Sequence, residues 1–488
     1  MRINYILAAL SLVFLGFGAM VFLPALVALY YQDFNSIPPF VTASFISILL
    51  GFLLKFITKE KQNFNDLRKK EGLFIVALTW ISISFVAAIP FLFYGISPIN
   101  AIFEGVSGIT TTGATIFTNF DAYPKTLFFW RSFSQWLGGM GVIVLFIAIL
   151  PQFAVAGRQM FFAEAPGPTE DKITPRIKQT AVALWGIYLA LTILEIIILI
   201  WQGMPIFESI CNSFATISAG GLSPHALSIA GYNNNIIWIV TIFMFLAGVN
   251  FALQYRVVVQ RQFKALINST EFLTYTFIFL GVSALVALAL ILHNNYGIFN
   301  AIRDAMFQVI SIMTSTGFAS VDFNEWSNSA KVLLFALMLI GGSAGSASGG
   351  IKVVRVIIVM KYLWREIVMI LHPKTVMPVK LGKTTISDEI LKQIIAFVIF
   401  YFILLIVSSI AVSLIEENLT IGIVGTAASL GNVGPGFAQI GPYGSFAELN
   451  PLTKLIFTFN MLVGRLELIP FLAMLHGDFW KFSFKKEQ

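Results

Sequence analysis

The sequence predicts an all-α polytopic membrane protein. Four repeats of long helix, short helix and long helix surround one axis, with two extra N-terminal transmembrane helices ahead of them. The first observation behind this is composition: 57% of residues are hydrophobic and 11% charged, where a soluble domain carries about 25% charge. The second is a series of long apolar stretches near 3–31, 39–58, 72–94, 126–150, 177–201, 234–256, 272–293, 331–371, 388–414 and 452–476, each long enough for the roughly 20 residues that cross a hydrocarbon core. The third is a set of shorter apolar segments near 98–109, 205–216, 299–313 and 420–430. These are too short to cross and suit re-entrant half-helices, which persist only where protein or water covers their ends.

The chain opens with Met1-Arg2 and runs apolar to about Leu29 without an obvious small-residue cleavage site, which reads as a retained helix. Residues 1–70 form the extra helix pair, and the four repeats follow as 71–156, 157–264, 265–383 and 384–488. Each short segment ends in a glycine-bearing loop: Thr110-Thr111-Thr112-Gly113-Ala114, Ile217-Ser218-Ala219-Gly220-Gly221, Thr314-Ser315-Thr316-Gly317-Phe318 and Gly431-Asn432-Val433-Gly434-Pro435. Aligned on Gly113, Gly220, Gly317 and Gly434, the loops lie 107, 97 and 117 residues apart.

Lys and Arg placement sets the orientation. Of the 31 such residues, only Lys125, Arg131, Arg303, Lys331 and Lys454 fall outside and Arg465 within a span, if both termini are cytoplasmic. The glycine loops then all dip from the outer face. Outer loops carry Asp33, Asp121, Asp322, Glu416, Glu417 and Glu448, which predicts an acidic vestibule that concentrates cations.

Four similar loops around one axis point to a cation pore. Backbone carbonyls replace a cation's hydration shell without the deep trapping of a full negative charge, and glycine adopts the required dihedrals at little steric cost. The hydroxyls of Thr111, Thr112, Ser218, Ser315 and Thr316 either support that backbone or add an oxygen ligand. The competing reading of any single glycine loop is close helix packing.

Residues Gly341 to Gly350 hold five glycines and nothing larger than Ser, so the 331–371 stretch is expected to break there. The break reads as a movable gate on the cytoplasmic side of the third loop, against the alternative of a small-residue packing face. Arg465 is costly within a span and faces either a cavity or a partner. It stands beside the conduction path or pairs with Glu467 or another buried acid. Glu195 is a further intramembrane acid.

Other classes fit less well. His225, His293, His372 and His476 lack metal-ligand spacing, Cys211 is the single cysteine, and no clustered acids suggest an enzyme. The net charge of +7 sits in loops without the context of a nucleic-acid module. A secondary transporter coupling a cation or solute to protons or sodium is the main alternative. However, all four repeats start on the same side, and the intramembrane carboxylates are few.

Five segments carry a family resemblance: Thr111-Thr112-Gly113-Ala114-Thr115, Ala163 through Arg176, Gly345 through Arg355, Gly431 through Gly436, and Gly464-Arg465-Leu466-Glu467. With them the chain resembles the TrkH/KtrB/HKT superfamily of potassium uptake proteins, and its extra N-terminal helix pair resembles the TrkH branch. The resemblance implies helix–pore-helix–helix repeats around a central pore, homodimers whose protomers conduct separately, and location in the bacterial inner membrane. It implies a potassium ion in a filter built on Thr111, Thr112, Gly113, Ser218, Ala219, Gly220, Ser315, Thr316, Gly317, Asn432, Val433 and Gly434, with no covalent cofactor. It places an intramembrane gate at Gly345, Gly349 and Gly350 with Arg465 nearby, and a cytoplasmic TrkA-like nucleotide-binding ring as partner. In the plant branch of that superfamily a serine at the first filter glycine goes with sodium transport, so the resemblance implies that glycine at all four aligned positions favours potassium. The chain has no Rossmann or P-loop motif of its own, and its basic inner loops suit a docked protein or anionic lipid.

Overall fold

The computed structural model describes residues 1–58, 68–149, 173–382, 384–466, 474 and 477–480. Among these, six helices are long and apolar enough to cross a bilayer, or seven if one bent pair counts as a span. Glu467 and most of the Ala163–Arg176 segment lie outside the described residues.

The extra pair is Ile3–Val21 continued by Leu23–Tyr30, then Ile37–Thr58. In an apolar setting a hydroxyl takes the nearest carbonyl. Accordingly, the hydroxyls of Ser44 and Ser47 donate to the Gly18 and Phe14 carbonyls, each at 2.7 Å, and tie the two helices together. Arg2 pairs with buried Glu71 at 2.7 Å, joining the pair to the first repeat.

The first repeat comprises Lys69–Leu92, the short helix Pro98–Ile109 and Lys125–Ile149. In the second, Ile173–Trp201 leads to the short helix Ile206–Ile217 and then to Asn234–Ala247 and Phe251–Val258. The third runs Thr270–Asn294, Ile298–Met313, Asn328–Met338 and Val353–Leu371. In the fourth, Asp388–Glu416 precedes a π-turn, Ile421–Gly425, that runs into Thr426–Leu430, and Pro451–Arg465 follows. Proline opens the first short helix at its first turn, where its missing N–H costs no hydrogen bond.

One predicted span is not straight. The 234–256 stretch turns by 103° between Ala247 and Phe251. Asn250 causes the restart: its side-chain carbonyl accepts the N–H groups of Ala252 (2.8 Å) and Leu253 (3.3 Å) and caps a new helix. The bend frees the carbonyls of Ala247 and Gly248 at membrane depth, where an unpaired carbonyl is costly. The glycine-rich segment takes both, through the N–H groups of Ala347 (3.3 Å) and Ser343 (2.9 Å).

The 331–371 stretch breaks as its glycines predict. Between Met338 and Val353 the chain is non-helical and mostly buried. Ile340 and Ile351 pair in parallel, with the Gly341 N–H donating to the Ile351 carbonyl at 2.8 Å. A two-stranded hairpin, Lys380–Leu381 with Thr384–Thr385, follows the Val353–Leu371 helix. Among the described residues the two largest groups of buried apolar side chains divide the fold. One joins the extra helices to the first and last repeats, and the other fills the second and third and reaches into the fourth.

Candidate functional site

All four short helices end the same way. The N–H groups of Thr112, Gly220, Thr316 and Val433 reach back to the carbonyls of Ser107, Ala215, Ser311 and Ala428 at 2.8–2.9 Å. The preceding residues, Thr111, Ala219, Ser315 and Asn432, sit in the left-handed region with φ between 53° and 56°. This is a Schellman ending, which commonly places glycine at the left-handed position. Here no glycine occupies it in any turn.

The residue two positions further on also has positive φ: Gly113, Gly221, Gly317 and Gly434, at 74–92°. This corrects the sequence alignment. The counterpart of Gly113 in the second turn is Gly221, and Gly220 is the counterpart of Thr112, because the helix end fixes the count and not the first glycine after it. The glycine spacings become 108, 96 and 117 residues.

These glycines close a ring. A Cβ placed on Gly113 would overlap the Gly220 carbonyl oxygen, one on Gly221 that of Thr316, one on Gly317 that of Val433, and one on Gly434 that of Thr112. Each turn therefore packs its glycine against the carbonyl preceding the next glycine, and the fourth returns to the first. Only a residue without Cβ permits that approach at positive φ. A cavity of about 280 Å³ opens above the ring and is lined by Gly113, Gly221, Gly317 and Pro435.

The hydroxyls of Thr112 and Thr316 are taken by their own helix ends, pairing with Thr110 and Thr314 at 2.8 Å. Asn432 donates to the Thr112 hydroxyl (2.9 Å) and to the Met461 carbonyl (3.0 Å), linking the fourth turn to the first. The Ser218 hydroxyl bonds back to Ala215. Ser315 accepts the Gly349 N–H at 2.6 Å, and the Thr111 hydroxyl is buried with no hydrogen-bond partner.

The glycine-rich segment lies directly against these turns. A Cβ on Gly349 would overlap the Gly431 carbonyl. Arg465 is buried and donates to the Ala347 carbonyl at 2.9 Å, and the Lys352 ammonium holds the Ser348 carbonyl. From the other side the Glu271 carboxylate accepts the Ala344 N–H at 2.7 Å. Gly350 has φ +69° and Gly345 +70°, so the segment uses backbone forms that larger residues resist.

The roles of three supporting groups escaped sequence reasoning, which counted Arg131 only as an outer charge although it is buried within the Lys125–Ile149 helix. Glu104 and Arg131 form a fully buried pair at 2.7 Å. Glu104 also accepts the Ile116 N–H at 3.0 Å, and Arg131 donates to the Thr115 hydroxyl at 2.7 Å, so the pair pins the outer limb of the first turn. Gln135 donates its amide to the Gly220 carbonyl at 2.5 Å and accepts the Leu222 N–H at 3.0 Å. All three stand in apolar helices, and a polar side chain there is the signal that could have found them.

The outer acids do less at the cavity than their number predicts. Glu448 lines it. Asp33 bonds Ser36, Asp322 caps Asn324 at 2.9 Å, and Glu416 accepts the Asn450 N–H at 2.8 Å. Tyr443, also at the cavity, is pushed up to about 12 by burial and then by Asp322 and Asp304, so it stays neutral.

Known proteins resemble the chain over its whole length. The profile of a family described as TrkH, cation transport protein, matches residues 36–476. The Trk system potassium uptake protein TrkH of Salmonella typhimurium is 35% identical over 487 residues, 99% of this chain and 100% of that protein. Its namesake in Vibrio parahaemolyticus is 34% identical with the same coverage. The crystal structure of the potassium transporter TrkH from Vibrio parahaemolyticus aligns with a TM-score of 0.90 at 33% identity, over 99% of this chain and 100% of that one. A multi-pass chain with this ring and this full-length likeness belongs to the TrkH cation transport family.

Proposed function

We propose that the protein takes up potassium ions across the bacterial inner membrane, with both termini cytoplasmic. The ion passes through the ring formed by the four glycine turns. The observation that carries this reading is the cyclic packing of Gly113, Gly221, Gly317 and Gly434 against the carbonyls of Gly220, Thr316, Val433 and Thr112. Four carbonyl-bearing turns around one axis suit a dehydrated monovalent cation. The short helices aim their partly negative C-terminal ends at the same point, and potassium is named in the printed descriptions of the full-length relatives.

The Gly341–Gly350 segment is the gate in this reading. It lies against the third and fourth turns, held by Ser315, Glu271, Lys352 and Arg465. Opening moves it aside, and a TrkA-like cytoplasmic ring controls that movement. The protein works as a homodimer with one pore per protomer, and its repeats divide near 71–156, 157–264, 265–383 and 384–488.

The test is flux into proteoliposomes with potassium, sodium and a proton gradient imposed separately. Gly113→Ser is expected to lower the preference for potassium over sodium. An unchanged preference counts against the ring as the selective element. Dependence on the proton gradient separates coupled uptake from channel-like flux.

A further inference from the structure

The four turns are not braced alike. In the first, the Ser107 hydroxyl of the turn's own short helix donates to the Ala114 carbonyl at 2.6 Å. In the third, Ser311 does the same to the Phe318 carbonyl at 2.6 Å, joined by Gln308 at 3.0 Å. These bonds grip the residue after the ring glycine and leave the ring carbonyl alone. The second short helix has Ala215 at the serine position, as the fourth has Ala428, so neither offers a hydroxyl there.

The second turn's brace comes from a neighbouring repeat. Ser132, on Lys125–Ile149, donates to the Leu222 carbonyl at 3.1 Å. One helical turn further along, Gln135 spans the glycine. An N–H can only donate, so the Leu222 N–H fixes the carbonyl oxygen of the Gln135 amide on its side, and the NH₂ faces the Gly220 carbonyl. That carbonyl belongs to the ring, because Gly113 packs against it. Gln135 is fully buried.

We propose that Gln135 is a positioning residue for ion discrimination. It clamps the second turn across Gly221 and draws on the lone pairs of the Gly220 oxygen, making it the weakest cation ligand of the four ring carbonyls. The inference rests on the ring being the selective element. Held by a donor of fixed reach, the Gly220 oxygen resists moving inward to meet a smaller ion. Released, it follows sodium as readily as potassium.

The experiment compares potassium and sodium flux in proteoliposomes for the wild type, Gln135→Met, Gln135→Glu and Gly221→Ser. Met has similar length and neither hydrogen bond, whereas Glu keeps the acceptor for Leu222 and replaces the NH₂ donor with an oxygen. Both Gln135 variants are expected to lower the potassium-to-sodium flux ratio about fivefold, the size of one buried hydrogen bond. Their size-exclusion profiles should remain those of the wild type. An unchanged ratio in both, alongside a shifted ratio in Gly221→Ser, overturns the role of Gln135 and leaves the ring reading standing. An unchanged ratio in Gly221→Ser as well removes the ring reading itself. Failure of both Gln135 variants to fold replaces the positioning role with a structural one.

Discussion

Removing Arg131 tests how the first turn is held. Its guanidinium meets Glu104 at 2.7 Å, with both side chains almost wholly buried, and the rings of Phe117, Phe120 and Phe128 surround it. Arg131→Met would leave a buried carboxylate with only neutral donors, the Ile116 N–H and the Thr115 hydroxyl. Breaking a buried pair in this way costs about 3–5 kcal/mol, because the remaining charge loses its compensation. Replacing both partners is close to neutral when the new side chains pack well. Glu104→Gln/Arg131→Met should therefore recover most of the loss, and its Gln can still accept the Ile116 N–H. The assay is thermal unfolding of purified protein in detergent, compared at one scan rate because such proteins unfold irreversibly. Each single variant is expected to melt several degrees below wild type and the double variant between them and wild type. Single variants that melt like wild type, or a double variant whose loss equals the sum of the two, would show that the pair does not hold the turn. Additivity would mean that the groups are not coupled.

Shortening the glycine-rich segment between Gly345 and Ser348 is expected to raise potassium flux, measured in proteoliposomes. Normal yield with unchanged flux would exclude it as a barrier. Arg465→Ala removes the donor to the Ala347 carbonyl and should alter flux by loosening the same segment. Wild-type flux from this variant would leave Arg465 a structural role only.

The course of the helices was largely legible because membrane helices follow length and hydropathy, and the short segments before each glycine turn stand out for the same reason. The bend at Gly248 was not. Apolar composition runs through it, and the cause is one capping side chain, Asn250, together with carbonyl partners nearly a hundred residues away. The break at Gly341 to Gly350 was visible because glycine acts locally on helix stability.

The turns show the same division. Their glycines announced themselves, but Gly220 and Gly221 are adjacent, and choosing between them requires knowing where the helix stops. That point is set by the hydrogen bond from Gly220 to Ala215, which no spacing rule contains. Glu104, Arg131 and Gln135 were harder still. Each acts on a turn through a fold contact, and in the case of Gln135 on a different repeat from its own.

Anomalous diffraction from crystals grown with rubidium, a potassium substitute that can be located by its own scattering, shows where the ion binds. A peak is expected on the axis of the ring, among the carbonyl oxygens of Thr112, Gly220, Thr316 and Val433. Rubidium bound elsewhere in the chain, with the ring empty, would contradict the ring reading.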